Sequence, residues 1–174
     1  NDGLLLVDKP AGPTSHDLVD HVRRLLGERR VGHAGTLDPS ASGLLLVVVG
    51  RATRLAQYVS VLPKLYAATL RLGAATETDD AAGKVTATDD SWRTLEEAAV
   101  RRAMADVAAP PEQVPPAVSA KQVDGERAYR LARQGRPLAL KAAAVRVHRL
   151  EVQRVALPDV DFAMECSSGT YVRA

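Results

Sequence analysis

The apolar positions of this chain follow two rhythms, a period of two and a period near 3.6 residues, separated by clusters of glycine, proline and aspartate. Gly3 to Val7 predicts a short buried strand, broken by the turn chemistry of residues 8–13. Thr14 opens a helix: Thr14 and Asp17 stand at capping-box spacing, and Leu18, Val19, Val22, Leu25 and Leu26 fall on one apolar face before Gly27 ends it. Leu44 to Val49 is a continuous apolar run, as expected of a central strand. Ala52 to Leu62 predicts a second helix with Leu55, Val59 and Leu62 on one side, closed by Pro63. Lys64 to Gly73 predicts a strand whose Tyr66, Ala68, Leu70 and Leu72 share a face. Residues 74–90 are polar and read as a solvated loop with one short strand near Lys84 to Ala87.

The second half continues in the same manner. Thr94 to Val107 predicts a helix with a Thr94/Glu97 capping box, Trp92 as a staple, and Leu95, Ala98, Met104 and Val107 inward. Two proline pairs at 110–111 and 115–116 bracket a rigid connector. Val118 to Val123 predicts a strand turned by Asp124-Gly125, and Glu126 to Gln134 a short helix stopped by Gly135. Val145 to Val155 and Val160 to Cys166 predict two strands joined near Leu157-Pro158-Asp159. The chain carries interspersed strands and helices, with no internal repeat and no low-complexity segment.

The stretch from Arg30 to Gly43, RVGHAGTLDPSASG, holds three glycines, one histidine and one carboxylate, and runs directly into the apolar strand at Leu44. Glycine admits positive φ and close backbone approach, and Pro39 biases Asp38 towards an extended conformation. An Asp-Pro pair by itself is a turn signal. A carboxylate held on an irregular loop beside a buried strand is also placed as a nucleophile would be.

The full string G-H-A-G-T-L-D-P-x-A-x-G-L-L resembles the catalytic motif of the TruB family of tRNA pseudouridine synthases, whose relatives include the dyskerin-type enzymes. The resemblance extends through DKPAGPTSH at the start, K-x-Y followed by R-L-G at Lys64 to Gly73, SAKQVDGERAYRLARQG from Ser119, and CSSGTYVR from Cys166. It implies Asp38 as the nucleophile, Arg173 as its ion-pair partner, and Tyr66 and Tyr171 against a flipped uridine. It also implies that His33 contacts the RNA near the vacated position, and that Lys9 of the Lys-Pro pair supports the active-site loop. The implied fold is α+β: a mixed, mostly antiparallel sheet with flanking helices and a central active-site cleft. On this reading residues 1–174 form one catalytic domain, with a basic RNA-binding thumb inserted at about 114–142. The implied reaction isomerises uridine 55 in the T-loop of tRNA, and it needs no metal, redox or nucleotide cofactor. The expected partner is the tRNA T-arm, bound by a cytoplasmic monomer with no obligate protein partner and no membrane.

Composition narrows these readings. With 46% hydrophobic and only 3% aromatic residues, the core must be aliphatic, and each tyrosine becomes a candidate for a special role. A net charge of +2 does not by itself indicate nucleic acid, but the charge is unevenly placed. From Val114 to Lys141, six basic residues (Lys121, Arg127, Arg130, Arg133, Arg136 and Lys141) face two acidic ones, a local net of +4. Arg29 and Arg30 add positive charge just before the Asp38 loop. Lys121, Arg130 and Arg30 are therefore expected to take phosphates. The single cysteine excludes an internal disulfide and any cysteine-based zinc site, and alternation makes Cys166 a buried strand position. The acidic residues of 77–80 fit no EF-hand pattern. The chain begins without methionine and stops in mid-pattern, so a fragment is expected, incomplete at the C-terminal end of the domain. Two other readings remain open: a guide-dependent ribosomal RNA synthase subunit, and a non-catalytic RNA-binding or folding module. A hydrolytic glycosidase would want two carboxylates across the sugar, and only Asp38 sits in a motif.

Overall fold

The computed structural model describes residues 2–119 and 140–174, with the strand backbone at 122–123 and 126–127, and divides into two compact units, Asn1–Leu62 and Pro63–Ala174. The first unit runs β1 (Gly3–Lys9), α1 (Ser15–Leu26), β2 (Val31–His33), β3 (Gly43–Val49), a 3-10 turn at Gly50–Leu55 and α2 (Ala56–Ser60). Its sheet has the order β1-β3-β2 with antiparallel pairing, so the apolar run at 44–49 is indeed the central strand. The Thr14 hydroxyl accepts the Asp17 N–H at 3.1 Å while the Asp17 carboxylate accepts the Thr14 N–H at 2.8 Å, completing the capping box. Gly27 closes α1 in the left-handed conformation, φ 61°, where a Cβ would be strained.

Because side chains alternate across a strand, the register Val7↔Leu45 and Leu5↔Val47 puts one face of the sheet under α1. Val19 and Val22 of α1 pack there with Val31, Leu45, Val47 and Val49, supported by Val7 and Leu18. The expectation that β1 is buried fails: Leu5, on the α1 face, is still 38% exposed, and the other face is open. Leu4 and Leu6 alternate away from α1 and stay exposed, Leu6 at 74%. Leu25 and Leu26 likewise lie outside the packed stripe of α1, which Val19 and Val22 fill. The expected helix over 52–62 is instead the 3-10 turn followed by the short α2, and Gly50 is the one buried residue of the two. Without a buried apolar stripe, nothing favours a longer α-helix over the tighter turn.

The second unit runs β4 (Lys64–Arg71), β5 (Ala74–Thr76), β6 (Val85–Thr88), a 3-10 turn at Ser91–Thr94, α3 (Glu97–Ala108), β7 (Glu112–Gln113), β8 (Gln122–Val123), β9 (Glu126–Arg127), β10 (Ala143–Ala144), β11 (Val147–Ala156) and β12 (Asp159–Cys166). β12 is central in the order β11-β12-β4, antiparallel to both neighbours. Its burial alternates cleanly: Val160, Phe162, Met164 and Cys166 point inward, and Tyr66, Ala68, Met104 and Leu150 pack on that cluster. On the opposite face Arg71 pairs with Asp159 and Arg154 with Asp161, each at 2.7–2.8 Å. Every strand pair among the described residues is antiparallel.

Several expectations change in this unit. Residues 74–88 form a β5–β6 hairpin, so the polar stretch contains a second short strand. Trp92 sits against Gly73 rather than stapling α3: a Cβ on Gly73 would lie 2.6 Å from the indole. The Thr94 capping box is absent because the Thr94 hydroxyl donates to Ser91 O at 3.0 Å within the 3-10 turn. Leu95 is then extended, and α3 starts from Glu96 without a side-chain cap. On α3, Val100 is the buried residue and Met104 joins the core, while Leu95 and Val107 are exposed. Glu126–Arg127 are strand where a helix was expected, and the rest of that expected helix lies outside the described residues.

Candidate active site

In the first unit the Asp38 loop is irregular, yet its backbone is held on both sides of the carboxylate. Ser15, 2% exposed at the start of α1, accepts the Leu37 N–H at 3.0 Å and donates to Leu37 O at 3.1 Å. Gly12 N–H donates to Pro39 O at 2.8 Å, and Ala41 N–H to Asp38 O at 3.1 Å. Lys9 ends β1 with no exposed surface, and its ammonium donates to Pro10 O at 3.0 Å, Pro39 O at 3.3 Å and Ala41 O at 2.6 Å. Satisfying the three donors of an ammonium with carbonyls is what makes its burial tolerable. Burial pulls the Lys9 pKa below the usual lysine value, and the nearby Asp38 carboxylate opposes that shift.

His33 lies on β2 opposite Val47 and is half-buried. Burial pushes its imidazole below the ordinary histidine value, with the Gly35 backbone holding back part of the shift. It is therefore mostly neutral at pH 7. Arg30 is exposed, its N–H donating to the Glu28 carboxylate at 2.8 Å and its guanidinium 3.7 Å from the same group. Arg29 lies beside it, lining a shallow depression with Arg23, Arg24 and Glu28 at the end of α1.

In the second unit Tyr66 stands in register with Met164 and packs on the Phe162/Met164/Cys166 cluster. Tyr171 and Arg173 follow β12 on a non-strand segment. The Arg173 guanidinium donates to Thr78 O at 3.0 Å and Val118 O at 2.6 Å, and sits 5.9 Å from the centre of the Tyr171 ring. Its direction is thus fixed by two backbone carbonyls. Gln113 binds the Tyr171 backbone through both ends of its amide. The first unit therefore sets Lys9 beside the Asp38 loop, with His33 on β2 opposite Val47, and the second gathers Tyr171 and Arg173. Lys121 and Arg130 lie outside the described residues.

Sequence reasoning overlooked Ser15 and Gln113. Ser15 was hidden behind Thr14, the obvious cap, and Gln113 is a single amide between two proline pairs. Only their distant backbone partners single them out. Among the described residues no group of three or more histidine, cysteine or acidic side chains is placed to hold a metal.

Residues 23–172 match the family model described as TruB family pseudouridylate synthase (N terminal domain). The chain belongs to the TruB family. It is 51% identical over 181 residues to tRNA pseudouridine synthase B of Thermobifida fusca, covering 99% of this chain and 61% of that protein. To the enzyme of the same name from Cutibacterium acnes it is 52% identical over 176 residues, with 99% and 59% covered. It spans about three fifths of the length of the curated relatives it matches. Among solved structures, it is similar to a chain of a Cbf5-Nop10-Gar1 complex, with TM-score 0.70, 27% identity, and coverage of 98% of this chain and 41% of that one. It also resembles a chain of an H/ACA RNP bound to a substrate RNA containing 2'-deoxyuridine, with TM-score 0.65, 25% identity, and 98% and 39% covered. The antiparallel α+β architecture of this TruB-family chain agrees with those neighbours.

Proposed function

We propose that this chain is the catalytic domain of an enzyme that isomerises uridine to pseudouridine in tRNA, at position 55 of the T-loop, acting in the cytoplasm as a monomer without an obligate protein partner. The observation that carries the reading is the carboxylate of Asp38 on a loop pinned by Ser15, Gly12 and Lys9, in a chain about half identical to proteins named tRNA pseudouridine synthase B. Such fixation favours a group that must meet a reacting atom in one geometry. No helix among the described residues is long and apolar enough to cross a membrane.

The reaction breaks the N1–C1′ bond of uridine, turns the freed uracil and joins its C5 to C1′. The C5 proton leaves and N1 gains one, so no redox equivalent is consumed. The target uridine first leaves its stack, at about a few kcal/mol. Asp38 acts as nucleophile, at the ribose C1′/C2′ region or at uracil C6. Arg173 pairs with it, a charge-assisted contact that orients a carboxylate. Tyr66 and Tyr171 hold the extruded base by stacking, replacing the neighbours it lost. His33, mostly neutral at pH 7, contacts the RNA near the vacated position. Arg29, Arg30 and the basic stretch at 114–142, with Lys121 and Arg130, take backbone phosphates. The short antiparallel pair of β7 with β10 brackets that stretch, which supports reading it as an inserted thumb.

The test is incubation of the protein at its natural length with unmodified tRNA and no guide RNA, followed by mapping of pseudouridine. Asp38→Asn is expected to bind the tRNA and produce none; normal turnover in that variant refutes the assignment. The likeness to H/ACA structures favours a second reading, a guide-dependent synthase subunit, at about half the identity of the first. Activity that appears only with a guide RNA selects it.

A further inference from the structure

We propose that Gln113 is a positioning residue for Tyr171, tying the neck of the 114–142 insertion to the base-holding segment; this rests on the reaction proposed above. β12 ends at Cys166, its ladder with β4 closing at Lys64 and that with β11 at Val147. Tyr171 lies beyond both ladders, so its peptide groups need other partners. One side chain supplies the short bonds, and the Ala174 N–H adds a longer one of 3.4 Å to Tyr171 O. Gln113 Oε1 accepts the Tyr171 N–H at 2.9 Å, and Gln113 Nε2 donates to Tyr171 O at 2.9 Å and to Ala174 O at 2.9 Å. The three bonds also fix which way round the amide sits, since a flipped amide would lose them all.

Gln113 is itself held by β7, where it pairs with Ala143 of β10. A backbone gripped at both its N–H and C=O has little freedom to turn, so the direction of the Tyr171 side chain is set from the β7–β10 pair. The same neck reaches Arg173: Val118, shortly after Gln113 in the chain, offers its carbonyl to that guanidinium at 2.6 Å. Tyr171 therefore takes its orientation from the root of the basic insertion, and Arg173 shares that support with the carbonyl of Thr78. Serine turns further back hold only the approach, with Thr170 Oγ1 donating to Ser167 O at 2.9 Å. No other standard side chain reproduces the grip: glutamate lacks the donor, asparagine is one methylene short, and leucine has neither group.

The experiment compares wild type, Gln113→Leu and Gln113→Glu in the protein at its natural length, well below their unfolding temperatures. Gln113→Leu is expected to lower the single-turnover rate on tRNA about ten-fold or more while tRNA Kd stays within about two-fold, the mark of lost positioning rather than lost binding. Gln113→Glu keeps the bond to the Tyr171 N–H and should fall between. Hydrogen exchange gives a readout independent of activity: the Tyr171 amide should exchange about ten-fold faster in Gln113→Leu. A wild-type rate in Gln113→Leu overturns the proposal. So does a loss of tRNA binding equal to the loss of rate. If Gln113→Leu fails to fold, Gln113→Glu is decisive: it loses the donor to Tyr171 O, and an unchanged single-turnover rate there also overturns the proposal. A wild-type protein that makes no pseudouridine, but whose Tyr171 exchange responds to Gln113→Leu, retains the grip and removes the reaction reading.

Discussion

Replacing Lys9 by methionine removes an ammonium from the interior while keeping most of its unbranched stem. Hydrogen bonds to a charged group contribute about 1.5–3 kcal/mol each. Those at 2.6 Å and 3.0 Å count fully and the 3.3 Å contact counts little, giving roughly 3–6 kcal/mol in total before opposing terms. Against this stands the desolvation of the ammonium, which already lowers its pKa. In the variant, Pro39 O keeps the Gly12 N–H at 2.8 Å, so only the carbonyls of Pro10 and Ala41 lose a donor. Pro10 is an exposed residue and water can serve its carbonyl, which together with the desolvation cost brings the net loss below that range, to about 2 kcal/mol. At about 2–4 °C per kcal/mol for a chain of this size, Tm should fall by roughly 4–8 °C.

Thermal unfolding followed by circular dichroism measures that loss. The pH dependence adds a second constraint. With the folded pKa of Lys9 below the unfolded 10.5, the unfolded chain holds more protons between those two values. The Lys9 contribution therefore becomes more favourable as pH rises through that window, and Lys9→Met should lack that rise. A variant that unfolds at or above the wild-type Tm would refute the reasoning. It would mean that desolvation of the buried charge outweighs its three bonds, the outcome known for some buried ion pairs.

Two further predictions concern single groups. Since burial depresses the His33 pKa below 6.5, its charging opposes the fold. Stability should fall as pH drops below 6.5 towards the folded pKa, and His33→Gln should flatten that slope in denaturant titrations at constant ionic strength. An unchanged slope counts against the burial. Cys166 is fully buried, and burial raises its thiol pKa, so iodoacetamide at pH 8 should label the native protein at least about ten-fold more slowly than the unfolded chain. Equal rates would contradict its place under the sheet.

Local signals carried much of this protein. The capping box at Thr14, the left-handed Gly27, the central run at 44–49 and the alternation through Phe162, Met164 and Cys166 each depend on neighbours a few residues away. These can be read from a linear chain because capping and periodicity act over one turn or one pleat. The Asp38 motif and its family were legible for the same reason: they form a contiguous string.

Tertiary structure decided what depends on distant partners. An apolar run does not say which of its faces another element will cover, so Leu6 reads like Val7 yet only Val7 meets α1. Thr94 has the right spacing for a cap, and a competing carbonyl at Ser91 takes its hydroxyl first. Ser15, Lys9 and Gln113 find their partners 22, 32 and 58 residues away, at Leu37, Ala41 and Tyr171. Hydrogen bonds reach only about 3 Å, so which polar side chain meets which backbone is settled only when the folded chain brings them together.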